Sequence, residues 1–142
     1  MIFTETNLKD SYFIEPERII DERGFFARSF DQKIFSNLGF ANNFVQCNIS
    51  FNKKKGTLRG LHFQEKPNSE SKLVRCTKGK VFEVLVDIRP DSSTYRKWVS
   101  VILSSENRKM IFVPDGFALG FQTLEDDTEL FYQMSQYYEP NS

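Results

Sequence analysis

The sequence predicts an all-β protein, an antiparallel jelly-roll barrel with one short helix near residues 31–38. Three observations predict it. Short runs of alternating apolar and polar residues recur along the chain, divided by Gly, Pro, Asn and Asp turns. Only one stretch has helical spacing. The aromatic content is dominated by Phe, 15 residues against a single Trp. Phe combines strand propensity with a large burial area, so the excess suits a packed β core. At 142 residues the chain has the length of one domain able to bury a core, and residues 1–142 are read as a single unit.

The elements follow in order. Residues 1–22 read as an edge segment, with a short strand at Tyr12-Phe13-Ile14 interrupted by Pro16. Asp21-Glu22-Arg23-Gly24 is a turn, because Gly24 tolerates positive φ. A strand is expected over residues 25–30. The helix follows, with Asp31 as N-cap, Ile34, Phe35 and Leu38 at helical spacing, and Gly39 as its stop. Its shortness suggests packing on the outside of a sheet. Residues 44–50 alternate well, Gln46 and Asn48 on one face and Val45, Cys47 and Ile49 on the other. The basic turn at residues 52–56 reads as a solvated loop. Further strands are expected over residues 57–64, 72–76, 81–88, 98–103, 109–113, 117–123 and 130–135. The strongest is 81–88, where Phe82, Val84, Val86 and Ile88 make one apolar face. This count fits a cupin-like jelly roll best, and such a barrel encloses a cavity that alternate strand residues can line.

Composition narrows the function. Nineteen basic residues balance nineteen acidic ones, so no global field attracts nucleic acid or an anionic membrane. No stretch approaches the roughly 18 apolar residues of a membrane span, and the N-terminus lacks a basic region followed by an apolar run. A cytoplasmic protein is expected. Cys47 and Cys76 belong to no CxxC pair and read as two buried free thiols.

His62 is the only histidine. Simple alternation puts Gly60, His62 and Gln64 on one face of its strand and Leu61 and Phe63 on the other. A barrel metal site needs two or three His with a carboxylate, so no metal and no cofactor are expected. Neither cysteine has an evident activating partner, and no Ser sits on a nucleophile elbow. Acid–base chemistry remains. An imidazole such as His62 can take or give a proton, Lys72 and Arg59 can stabilise developing negative charge, and Tyr132 can donate a proton.

The motifs Arg23-Gly24-Phe25-Phe26, Arg59-Gly60-Leu61-His62-Phe63-Gln64, Lys72-Leu73-Val74-Arg75-Cys76, Val113-Pro114-Asp115-Gly116-Phe117-Ala118 and Phe131-Tyr132 resemble the dTDP-4-dehydrorhamnose 3,5-epimerase family. The resemblance runs from about Tyr12 to Pro140. It implies a metal-free jelly roll that forms a homodimer with exchanged N-terminal strands. It also implies a nucleotide-sugar substrate, dTDP-linked, whose 4-keto group acidifies the protons at carbons 3 and 5. By resemblance His62 is the base, Lys72 stabilises the enolate oxygen and Tyr132 is the acid on the opposite face. Arg23 and Arg59 would hold the diphosphate, Gln46 and Asn48 would contact substrate, and Phe26 and Tyr138 would flank the nucleobase. The family pattern has Glu where this chain has Arg28 and His where it has Leu119. It also continues past Tyr138 into a segment carrying an Asp that orients the catalytic His. The alternative reading is a family member that holds a nucleotide sugar without turning it over, or a truncated, inactive one.

Overall fold

The computed structural model describes residues 1–40 and 43–142. Its strands form two main antiparallel sheets and a small hairpin. Six strands lie in the order β1 (Ile2–Glu5), β2 (Tyr12–Glu15), β10 (Met110–Val113), β7 (Lys72–Lys78), β12 (Thr128–Met134), β5 (Gln46–Asn52). Four more follow the order β6 (Leu58–His62), β11 (Phe117–Thr123), β8 (Lys80–Asp87), β9 (Trp98–Ser104). The hairpin pairs β3 (Ile19–Asp21) with β4 (Gly24–Phe26). The non-consecutive neighbours within each sheet are those of an antiparallel jelly roll, as the sequence predicts.

The core lies between the two main sheets. Val74 and Cys76 of β7, Ile111 and Val113 of β10, Val81 and Leu85 of β8, and Leu130 of β12 meet there. Alternation sends Leu73, Met110 and Phe112 to the other face of the six-stranded sheet, where a second cluster forms around Phe35. Phe35 belongs to α1 (Gln32–Asn37) and makes edge-on contacts with Phe3, Phe30, Phe40, Phe44 and Phe112. Six of the fifteen Phe thus form one aromatic layer that seats the helix on the outside of the sheet. Asp31 caps α1 by accepting from the Lys33 and Ile34 amides at 3.0 and 3.2 Å. The helix ends in a Schellman turn, with the Phe40 amide bonded to the Phe35 carbonyl and the Gly39 amide to the Ser36 carbonyl. Gly39 sits at φ +76° there.

The structure departs from the sequence reading at several points. The strand expected over residues 25–30 stops at Phe26, because its only partner is the three-residue β3; Phe30 instead joins the aromatic layer. β1 pairs with β2 as a strand the sequence reading left unassigned. On β8 the buried face is Val81, Glu83, Leu85 and Asp87, while Phe82 is 37% exposed. The apolar face of β8 therefore looks outward, beside the exposed Trp98 and Ile102 of β9. On β5 the polar Gln46 and Asn48 turn inward, the side their expected substrate contacts need, while Cys47 and Ile49 are exposed. Cys47 is thus not a buried thiol, whereas Cys76 is.

Asp87 explains how β8 keeps a carboxylate inside. Its side chain is 0% exposed and bonds the Arg89 guanidinium at 3.0 and 2.9 Å and the Ser92 and Thr94 hydroxyls at 2.6 Å each. Arg89 also reaches Asp10 at 2.8 Å and the Lys9 carbonyl, tying the N-terminal loop to the barrel. Burial alone would raise the Asp87 pKa, but the Arg89, Ser92 and Thr94 bonds outweigh it and hold it well below its ordinary 3.8. The native state thus binds fewer protons here than the unfolded chain. The stabilisation is complete above the unfolded value near pH 4 and is lost as pH falls further. Because Arg89 stays a quarter exposed and keeps Asp10, it can recover water when Asp87 is removed. Asp87→Ala is expected to cost about 2 kcal/mol at neutral pH, the low end for a charge-assisted cluster. Urea melts at pH 7 and pH 3.5 are expected to show the difference between variant and wild type shrinking at the lower pH.

Candidate active site

A cavity of about 780 Å³ opens between one end of the two main sheets. Its first wall is a face of the six-stranded sheet. There Gln46, Met134 and Lys72 stand in register on β5, β12 and β7, and Asn48, Tyr132 and Val74 form the next row. The second wall comes from the four-stranded sheet. Arg59, Phe121 and Glu83 are in register on β6, β11 and β8, and His62, Leu119 and Leu85 form the adjoining row.

Arg59 and His62 share this wall although simple alternation would separate residues three apart. Between the pairs Leu119↔His62 and Phe121↔Arg59, β6 contributes two residues, Gly60 and Leu61, against one on β11. That bulge shifts the period by one position. Gly60 makes it possible: its φ is +100°, and a Cβ there would lie 2.6 Å from the Leu119 carbonyl oxygen and 2.7 Å from the Gly120 Cα. The alternation assumed from sequence therefore fails between Gly60 and Leu61.

Several polar side chains on the walls have an identifiable support. Arg59 Nε donates to Asn52 Oδ1 at 2.7 Å, and Asn52 is itself anchored to the Thr128 carbonyl. Lys72 Nζ pairs with Glu70 Oε1 at 2.7 Å, both side chains being largely buried. Tyr132 is half-buried; burial pushes its phenol pKa up, with Arg59 pulling it down and Glu70 adding to the rise. A phenol so placed stays protonated at neutral pH and can act as a donor. His62 lies on the open side and its side chain enters no hydrogen bond among the described residues, while its neighbour Gln64 accepts from the Glu139 amide and donates to the Asn68 carbonyl, both at 2.8 Å. Gln46 accepts from the Tyr138 amide at 2.8 Å. The two glutamines thus pin residues 138–139 at the cavity mouth, with Tyr138 on its rim.

Seven of the residues singled out from sequence line this cavity: His62, Lys72, Tyr132, Gln46, Asn48, Arg59 and Tyr138. Arg23 and Phe26 do not. They sit on the β3–β4 hairpin, Arg23 bonded to Asp21 at 2.6 Å and Phe26 67% exposed. Arg28 pairs with Asp31 at 3.2 Å beside the helix cap, away from the cavity. Leu119 borders the cavity directly across the strand pair from His62.

The sequence reading overlooked Glu70 and Glu83, and gave Gln64 no role beyond sharing a face with His62. Glu83 carried a usable signal, since a carboxylate in the middle of the most apolar strand is costly unless it has a role. Cys76 is removed from contention as a nucleophile, because burial pushes its thiol up to about 11. Among the described residues no cluster of three or more His, Cys, Asp or Glu side chains could hold a metal ion, and no helix is long and apolar enough to cross a membrane.

Fold and site together define a jelly-roll protein whose cavity brings an imidazole, an ammonium, a phenol and a guanidinium to one place, the equipment of an acid–base isomerase. The family model described as dTDP-4-dehydrorhamnose 3,5-epimerase matches residues 5–142. The enzyme of that name from Salmonella typhimurium is 48% identical over 143 residues, spanning 100% of this chain and 78% of its own. A Bacillus anthracis dTDP-4-dehydrorhamnose 3,5-epimerase solved with TDP and PPi superposes with a TM-score of 0.94 at 41% identity, over 99% of this chain and 80% of that one. A Legionella pneumophila dTDP-6-deoxy-D-glucose-3,5-epimerase solved with dTDP-4-keto-L-rhamnose gives 0.92 at 43% identity, over 99% and 74%. This chain belongs to the dTDP-4-dehydrorhamnose 3,5-epimerase family.

Proposed function

We propose that this chain, acting as one jelly-roll domain, epimerises a dTDP-linked 4-keto-6-deoxyhexose. The carrying observation is the convergence of His62, Lys72 and Tyr132 on one cavity that also holds Arg59. His62 takes the proton from a carbon beside the ketone. The C–H electron pair becomes the C=C bond of an enolate, and the carbonyl π pair moves onto oxygen. Lys72 stabilises that oxygen. Tyr132 then returns a proton to the opposite face of the carbon. Arg59, fixed by Asn52, offers its remaining guanidinium donors to the diphosphate. Gln46 and Asn48 contact the sugar side, and Tyr138 flanks the nucleobase at the rim. The test is solvent exchange: protein and dTDP-4-keto-6-deoxyglucose in D₂O, with carbons 3 and 5 followed by NMR. Deuterium at both carbons supports the double epimerase. Deuterium at one supports a narrowed enzyme, the outcome favoured if Leu119 restricts turning of the sugar opposite His62. Saturable binding without deuterium would sink the catalytic reading for this substrate.

Arg23 and Phe26 receive their roles through a second copy. The hairpin exposes Ile19, Ile20 and Phe26, at 69, 75 and 67%, and edge strand β5 exposes Ile49 at 67%. Large apolar side chains exposed in this number on a hairpin and a sheet edge point to an association face. A homodimer in which each hairpin reaches the partner's cavity would place Arg23 by the diphosphate and Phe26 by the base. Light scattering is expected to give twice the chain mass, and Ile20→Asp to shift it toward one. A wild-type protein of monomer mass at micromolar concentration would refute the arrangement. A cytoplasmic location belongs to the same reading, since a nucleotide-sugar substrate is soluble.

A further inference from the structure

Glu83 is the cavity-wall group left unexplained by the proposed epimerase chemistry. Its side chain is 0% exposed, and neither carboxylate oxygen has a hydrogen-bond partner among the described residues. It stands in register with Phe121 and Arg59 on the second wall, facing the Lys72 wall across the cavity. Lys72 already holds Glu70 Oε1, and Glu70 Oε2 is likewise buried without a partner. One ammonium therefore faces two carboxyls. Were both ionised, this group would carry a net negative charge where the enolate forms.

We propose that Glu83 is a positioning residue acting through Lys72, its uncharged acid form leaving the ammonium free to be shared between Glu70 and the substrate oxygen. The inference rests on the epimerase reading. A carboxyl removed from water with no donor to stabilise its anion stays protonated. The titratable groups near it are Lys72 and Cys76 of β7. Glu70, Arg59 and His62 of β6, and Tyr132 of β12 line the same cavity. The cations among them oppose the effect of burial without offering the carboxyl a hydrogen bond. The cross-strand neighbours Val101 of β9 and Phe121 of β11 are apolar. Burial pushes the Glu83 carboxyl up to about 8, with Lys72 pulling the other way. Ionising Glu83 would draw Lys72 toward two carboxylates and withhold its charge from the developing oxyanion.

The test compares kcat–pH profiles of wild type, Glu83→Gln and Glu83→Asp with dTDP-4-keto-6-deoxyglucose. Wild-type kcat is expected to fall roughly tenfold per pH unit above a midpoint near 8, the slope of one required proton. The limb is expected to vanish in Glu83→Gln, which cannot ionise, and to return in Glu83→Asp. An unchanged limb in Glu83→Gln would overturn the proposal. A second arm needs only substrate-free wild-type protein carrying ¹³C-labelled glutamate. The infrared band of a protonated carboxyl is expected at about pH 7 and lost at about pH 10, and its absence at pH 7 would also overturn the proposal. Failure of wild type to wash in deuterium would sink the epimerase reading and this role with it. Wash-in without the band or the limb would sink the Glu83 role alone.

Discussion

Replacing His62 by asparagine is expected to abolish deuterium wash-in at carbons 3 and 5, lowering kcat by roughly 10²–10⁴-fold, the range for loss of a positioned general base. His62 is the only imidazole in the chain. The other titratable side chains on the walls are unsuited to the step. Tyr132 is held protonated by burial, Lys72 is engaged as an ammonium by Glu70, and a desolvated Glu83 holds its proton up to about pH 8. Glu70 is committed to Lys72 in turn, so His62 is the one uncommitted base among these five groups. The change is expected to leave stability within about 0.5 kcal/mol, because His62 is exposed and its side chain enters no hydrogen bond among the described residues. Matching thermal melts would therefore separate chemistry from folding. Wash-in at wild-type rates by His62→Asn would remove His62 from the mechanism.

The prediction shows how far the sequence could be read. The family resemblance sufficed to gather seven residues into one cavity: six lie on strands whose register follows from their neighbours, and Tyr138, beyond the last strand, is held there by Gln46. The reading failed where burial was assumed to track hydrophobicity. Phe82, Val84 and Val86 look like a core face, yet the barrel turns Glu83 and Asp87 inward. Asp87 is tolerated because four side-chain bonds from Arg89, Ser92 and Thr94 offset its desolvation. Those bonds come from a loop downstream of β8, invisible to any period-2 argument. Likewise Gln46 and Asn48 face inward because a cavity, not an apolar core, lies beneath that end of β5. The hairpin positions of Arg23 and Phe26 are the reverse case: their family roles were legible as motifs, while nothing within one chain brings them to the cavity.

Gly60→Ala tests the one backbone feature on which the second wall depends. Two costs add. An L-residue at φ +100° is strained by roughly 1–2 kcal/mol. A Cβ at 2.6 and 2.7 Å from the Leu119 carbonyl oxygen and the Gly120 Cα must displace main chain, not a flexible side chain. Overpacking of that kind costs about 1–3 kcal/mol. A total of about 4 kcal/mol is expected, lowering the melting temperature by more than about 10 °C for a domain of this size. Gly39→Ala is the control, since Gly39 also has positive φ, +76°, but open space around its missing Cβ; it is expected to lose only about 1 kcal/mol. The contrast isolates the contact between β6 and β11. Because that contact sets the bulge aligning Arg59 with His62, any folded Gly60→Ala protein is expected to lose activity through kcat as well as through weaker substrate binding. Equal melting shifts in the two variants would show that conformational strain alone is at work, and that the close approach of Gly60 to β11 does not hold the site in register.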